Sequence, residues 1–161
     1  MTLIADKNAC ELLDADHIAV KHLFVEYARL AMAPDAAGTG PDRQALATKI
    51  CDELTVHAQI EEEVFYPALR DASPDTAKLL EEAQAEHQEA KEMIAQLRAM
   101  NQADAAMDAL VTELNRAIEH HVKEERDELF PKARSCGLDL DEVGARLRER
   151  QQELEGEPAA A

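Results

Sequence analysis

Apolar residues recur in steps of three and four between positions 10 and 31. Cys10, Leu13, Val20, Phe24, Tyr27 and Ala31 keep that rhythm once His17 is counted with them. Such steps return to one face of a helix, so a first helix is predicted over about Ala9 to Met32, with His17 inside its apolar stripe. Pro34 to Pro41, with Gly38 and Gly40 between, predicts a loop. A second helix is expected from about Asp42 to Asp71, with Leu46, Ile50, Leu54 (or Glu53), His57, Glu61, Val64 and Ala68 facing inward. Pro67 predicts a kink or a stop near its end. Ser73-Pro74-Asp75 reads as the next helix start, with Ser73 as N-cap. The third helix shows Leu80, Ala83, His87, Ala90, Ile94 and Leu97 on one face, and Asn101 to Asp104 is a short link. The fourth shows Leu110, Leu114, Ile118 (or Ala117), His121, Glu125 and Leu129, with Cys136-Gly137 as its stop. A shorter fifth helix opens at Asp139 and carries Leu140, Val143, Leu147 and Leu154, and residues 157–161 are expected to fray. The fold class predicted is all-α: an antiparallel up-and-down four-helix bundle over residues 1–135, with 136–161 adding a fifth helix and tail to the same domain. That fifth helix either docks on the bundle or mediates a homodimer.

Composition agrees. Apolar residues make up 46% of 161, enough for one core, and aromatics only 3%. Ala, Leu and Glu dominate, which favours helix. The formal charge of −17 argues against nucleic acid or an anionic membrane surface as partner. Three widely spaced cysteines, Cys10, Cys51 and Cys136, form no CxxC pair and suggest a reducing cytoplasm. Cys10 shares the His17 stripe and reads as a small core residue. No signal peptide is visible at the first residues, and no stretch approaches the length of a bilayer span.

The chemistry lies in a repeat. His57-Ala-Gln-Ile-Glu61, followed by Phe65-Tyr66-Pro67, is echoed by His121-Val-Lys-Glu-Glu125, followed by Leu129-Phe130-Pro131. Asp16-His17-Ile-Ala-Val-Lys21 is echoed by Glu86-His87-Gln-Glu-Ala-Lys91. Each half of the chain thus offers one His and then a His and a Glu four apart on one helical face. A single HxxxE is weak evidence in so glutamate-rich a chain, as His22/Glu26 and His120/Glu124 illustrate. His17, His57, Glu61, His87, His121 and Glu125, however, all fall on the apolar stripes. Burying two carboxylates and four imidazoles would cost several kcal/mol per unpaired ion, and bound cations would neutralise them. The alternative is a buried His–Glu network. Imidazole and carboxylate donors suit iron or manganese and admit zinc. Two metals sharing two carboxylates fit best: His17 and His57 on one, His87 and His121 on the other, with Glu61 and Glu125 between.

At these residues the chain resembles the hemerythrin-like, or HHE cation-binding, family, whose pattern is H…HxxxE…H…HxxxE with an aromatic-Pro after each HxxxE. The resemblance covers roughly residues 10 to 135. It implies a four-helix bundle with two iron ions in a non-haem Fe–O–Fe type centre, and chemistry with O₂, peroxide or NO. One position departs. The oxygen carriers of the family have a fifth His four residues after the one matching His87, and here Lys91 stands there. A protonated Lys cannot ligate, so reversible oxygen carriage gives way to peroxide breakdown, NO handling or sensing. Tyr27 and Tyr66 are candidates for a phenol ligand or hydrogen bond at the centre, or else plain core aromatics. His120 is the better auxiliary candidate of the two remaining histidines. The functions in competition are a sensor or carrier, a peroxide-decomposing enzyme and an iron-handling protein. Against them stands a different class, a metal-stapled interaction module whose fifth helix recruits a partner.

Overall fold

The computed structural model describes residues 7–156. Helix α1 (Ala9–Ala31) opens on a capping box: Asn8 accepts from the Glu11 amide at 2.9 Å, and Glu11 accepts from the Asn8 amide at 3.1 Å. Its buried face carries the expected stripe from Cys10 to Tyr27, His17 included, while Ala31 at its end is half-buried. Part of the expected loop is a 3₁₀ turn, Ala36–Thr39, and α2 (Gly40–Ile60) begins with Pro41 in its first turn. The inward stripe of α2 starts at Arg43 and Ala47, where Leu46 was expected. Arg43 is tolerated in the interior because each of its three guanidinium nitrogens finds an acceptor: Thr39 Oγ1 at 3.0 Å, Ala36 O at 2.9 Å and Asp108 Oδ1 at 2.6 Å.

The rod does not stop at Pro67. A π-turn at Glu61–Phe65 joins α2 to α3 (Tyr66–Ala72), with Pro67 in the first turn of α3. The Tyr66 amide reaches back five residues to Glu61 O, so the proline needs no donor of its own there. The wide turn also moves the inward phase by one residue: Leu69, not Ala68, is fully buried. The same construction recurs in the second half, where α5 (Ala105–Glu124) passes through a π-turn at Glu125–Leu129 into α6 (Phe130–Ser135). Between them runs α4 (Ala77–Ala99). Ser73 is not its N-cap. A 3₁₀ turn at Pro74–Thr76 intervenes, and the Ser73 hydroxyl is turned to Asp75. Asp104 caps α5 by accepting from the Met107 amide at 3.1 Å. Gly137, at φ +82°, makes the left-handed turn that ends α6. Asp139 accepts from the Glu142 amide at 3.1 Å and opens α7 (Leu140–Gly156). The expected fraying of residues 157–161 lies outside the described residues.

The four rods α1, α2–α3, α4 and α5–α6 close an antiparallel bundle, and α7 docks on it across α1, α2 and the first π-turn. Val143 and Leu147 of α7 are buried. Two apolar clusters result. One gathers Cys10, Leu13, Ile60, Phe65, Tyr66, Leu69, Phe130 and Leu147, and the other Val20, Phe24, Tyr27, Ile50, Leu54, Ile94, Leu97 and Leu114. The six His and Glu residues of the repeat belong to neither cluster and form a polar layer between them. Among the described residues no helix is long and apolar enough to cross a membrane.

Candidate metal centre

The six repeated side chains converge. Glu61 and Glu125 are fully buried, and the four histidines are 5–8% exposed. Helical spacing explains the aim: His57/Glu61 on α2 and its π-turn, and His121/Glu125 on α5 and its own, each stand one turn apart on the inner face. His57 Nε2 and His87 Nε2 lie 3.3 and 3.1 Å from Glu61 Oε1. His17 Nε2 lies 3.0 Å from Glu125 Oε1, and His121 Nε2 lies 3.5 Å from Glu125 Oε2. Glu125 therefore offers one oxygen to each half of the chain. The histidines pair as rings, His17 with His57 at 4.8 Å and His87 with His121 at 4.7 Å between centroids. Two donor groups follow: His17, His57, Glu61 and Glu125, and then Glu61, His87 and His121.

Each ring is steered from its outer nitrogen. Nδ1 of His17, His57, His87 and His121 meets Asp14 at 3.2 Å, Asp16 at 3.1 Å, Glu62 at 2.7 Å and Glu86 at 2.8 Å respectively. A carboxylate at Nδ1 turns Nε2 inward and makes it a better donor to a cation. Sequence reasoning missed these four. A signal was present, since Asp16 and Glu86 directly precede His17 and His87 in the repeat. Each, however, serves the other histidine of its half, across a helix boundary that periodicity does not report.

Considered without a cation, protons bind the layer together. Burial works against charge on His57, yet Glu61 and Asp16 outweigh it and lift the pKa from 6.5 to about 10. His121 and His87 are likewise raised against burial, the first by Glu125, Glu61 and Glu86 and the second by Glu61 and Glu62. Burial alone would raise Glu61, but the neighbouring His57 holds it well below the usual carboxylate range. Protons do not complete the network. His17 Nε2, His57 Nε2, Glu61 Oε2 and Glu125 Oε1 are buried and make no hydrogen bond, although ionic partners stand close by. Buried polar atoms of this kind are rare in native proteins. The four residues that own them, His17, His57, Glu61 and Glu125, make up one of the donor groups, and lone pairs gathered there fit a bound cation.

The auxiliary candidates divide. The Tyr66 hydroxyl reaches the centre, donating to Glu125 Oε2 at 2.9 Å and lying 3.3 Å from both Glu61 Oε1 and His87 Nε2. Burial first, and then both glutamates, push its pKa well up, so it keeps its proton. Its counterpart in the other half is Phe130, stacked 6.1 Å from His17. Tyr27 does not reach the centre. It sits in the distal apolar cluster and donates to Asp108 at 2.7 Å, thirteen residues or about 20 Å of helix before His121. Lys91 turns outward to Glu62 Oε1 at 2.9 Å, and so stands behind the carboxylate that steers His87. His120 is exposed and lies 3.3 Å from Glu86 and 2.9 Å from Glu124, behind the carboxylate that steers His121. Burial pushes the Cys10 thiol up to about 11, as expected of a core residue.

Over the histidine layer, toward the distal cluster, lies a cavity of about 130 Å³. The four histidine rings form its floor, Val20, Leu54, Ala90, Ile94, Ile118 and Val122 form most of its walls, and Asp16, Thr55, Ala58 and Lys91 complete the lining. A larger groove of about 580 Å³ between α1 and α5 shares His17, Val20, Ile118 and Val122 with it.

The family model for the Hemerythrin HHE cation binding domain matches residues 8–133. The chain belongs to this family. The HHE fold of the chain is similar to the crystal structure of a Hemerythrin HHE cation binding domain-containing protein from Mycobacterium kansasii. That likeness has a TM-score of 0.73 and 26% identity, and it covers 93% of this chain and 88% of that one. The sequence is also similar to a protein from Nostoc sp. named DNA nickase, 30% identical over 133 residues. The match takes in 81% of this chain and 34% of that protein, so the HHE chain spans about a third of its relative's length.

Proposed function

We propose that this HHE domain holds two iron ions and binds or reacts with a small oxygen or nitrogen species: O₂, peroxide or NO. His17 and His57 would hold one ion and His87 and His121 the other, with Glu61 and Glu125 shared. Iron, when bound, supplies one-electron chemistry and open positions for a small ligand. The observation that carries the reading is the cavity of about 130 Å³ resting on the four histidines. Its small volume and largely apolar walls suit a ligand of a few atoms better than a large polar substrate. Tyr66 contributes a proton held at its hydroxyl beside Glu125, within reach of both halves. Lys91, occupied with Glu62, adds no ligand, which favours turnover of peroxide or NO over reversible carriage. Cys10, Cys51 and Cys136 are free thiols, and a reducing cytoplasm suits both them and iron.

The nicking activity named for the Nostoc relative is not part of this reading. A net charge of −17 repels nucleic acid, and two thirds of that protein lie outside the match. The deciding experiment is elemental analysis and absorption spectroscopy of the purified protein. Two irons per chain, with bands that respond to azide, peroxide or NO, are expected. A colourless protein with tightly held zinc would favour a metal-stapled interaction module instead.

A further inference from the structure

Each carboxylate that steers a histidine is itself gripped from behind. Arg126 holds Asp14 at 2.6 Å, Lys91 holds Glu62 at 2.9 Å, and His120 holds Glu86 at 3.3 Å. These three sit on the bundle's own rods. The fourth grip does not. Gln151 donates to both oxygens of Asp16, at 3.1 and 3.3 Å, and it stands on α7, beyond residue 133 where the family match ends.

The geometry points to α7 as a working part of the metal centre: Gln151 is a positioning residue that fixes the Asp16 carboxylate and, through it, the His57 ring. Asp16 is on α1 and His57 on α2, so their 3.1 Å contact spans two helices and depends on how the carboxylate is turned. A carboxylate held at one oxygen can swing. One whose two oxygens are straddled by a single nitrogen, as Gln151 Nε2 straddles those of Asp16, is held at its free end. The platform is firm. Val143 and Leu147 are buried, Arg148 donates to Lys7 O at 3.1 Å, and Gly144 is pressed on the backbone at Asn8 and Ala9. Gln151 follows Leu147 by one helical turn.

The inference rests on reading the six inward residues as a metal site, so the test has one arm that needs no metal. Gln151→Leu removes the donor at similar size, and the exposed neighbour Gln152→Leu is the control. In metal-free protein labelled with ¹⁵N-histidine, exchange of the His57 Nδ1 proton with water should quicken several-fold in Gln151→Leu and stay unchanged in Gln152→Leu. In protein loaded with Zn(II), release of one ion to a chromogenic chelator should quicken by about threefold or more, a smaller change than outer carboxylates give because Gln151 is one layer further out. Gln151→Lys restores a donor to Asp16 and should return release toward the wild-type rate. Unchanged proton exchange in Gln151→Leu overturns the inference, as does Gln151→Lys behaving like Gln151→Leu. If the wild-type chain takes up neither zinc nor iron, the metal reading falls, and the proton-exchange arm alone decides whether Gln151 fixes His57.

Discussion

A histidine in this centre is governed from its far side. Asp14, Asp16, Glu62 and Glu86 decide which nitrogen looks inward, so their removal should be felt without touching a ligand. Glu86→Gln is expected to weaken metal binding by about ten- to a hundredfold with the fold intact, as read by chelator competition and circular dichroism. Glu61→Ala should go further and lower the metal content itself, since both donor groups share Glu61. The protons set a pH dependence. His57 is raised from 6.5 to about 10, so without metal its pairing with Glu61 stabilises the fold fully below pH 6.5 and fades as pH climbs toward 10. Glu61 is lowered, so its share is present above its ordinary 4.5 and is lost as pH falls through its depressed value. A cation must displace the protons on His57, His87 and His121. Apparent affinity should therefore rise about tenfold or more per pH unit across neutrality, with protons released on binding. Titration in weakly buffered solution with a pH indicator measures this directly, and affinity independent of pH would contradict it.

At the scale of elements, the inward stripes were legible because burial enforces a period on every rod, and the six repeated residues sit on those stripes. Two things escaped. The carboxylates at Nδ1 belong to contacts between helices, and no spacing within one helix encodes them. The π-turns escaped because Pro67 reads as a kink or a stop, whereas the wide turn before it absorbs the missing donor, and the same turn precedes Pro131. That turn separates Tyr66 from Tyr27. Tyr27 lies on its apolar stripe, whereas Tyr66 falls between stripe positions and is brought back beside Glu61 by the wide turn. Tyr66→Phe copies the arrangement at Phe130 and should leave metal content unchanged while altering the spectrum and reactivity with peroxide. Helix α7 is held by close approach. A Cβ at Gly144 would meet Ala9 N, Asn8 C and Lys7 O at 2.9 Å, all of it backbone with no room to yield. Gly144→Ala should cost about 1–3 kcal/mol by thermal melting, through displacement of α7 from α1.

The whole molecule is two similar halves folded about one polar layer, and the cations are expected to bind the halves together. Metal at a thousandfold excess over its dissociation constant adds about 4 kcal/mol, so stripping it should lower the melting temperature on the order of 10 °C for a chain of this size. The charge of −17 works against the metal-free chain, and added salt should recover part of that loss by screening.

The halves are alike without being equal, since a phenol stands in one where the other has a phenyl ring. The wide turns bear on how relatives of this chain should be aligned. A turn that closes over five residues places its far end where an ordinary turn with one residue fewer would place it. Two proteins can then differ by a residue between carboxylate and aromatic and still present superposable centres. A gap at that point marks a change of winding, with the constellation intact.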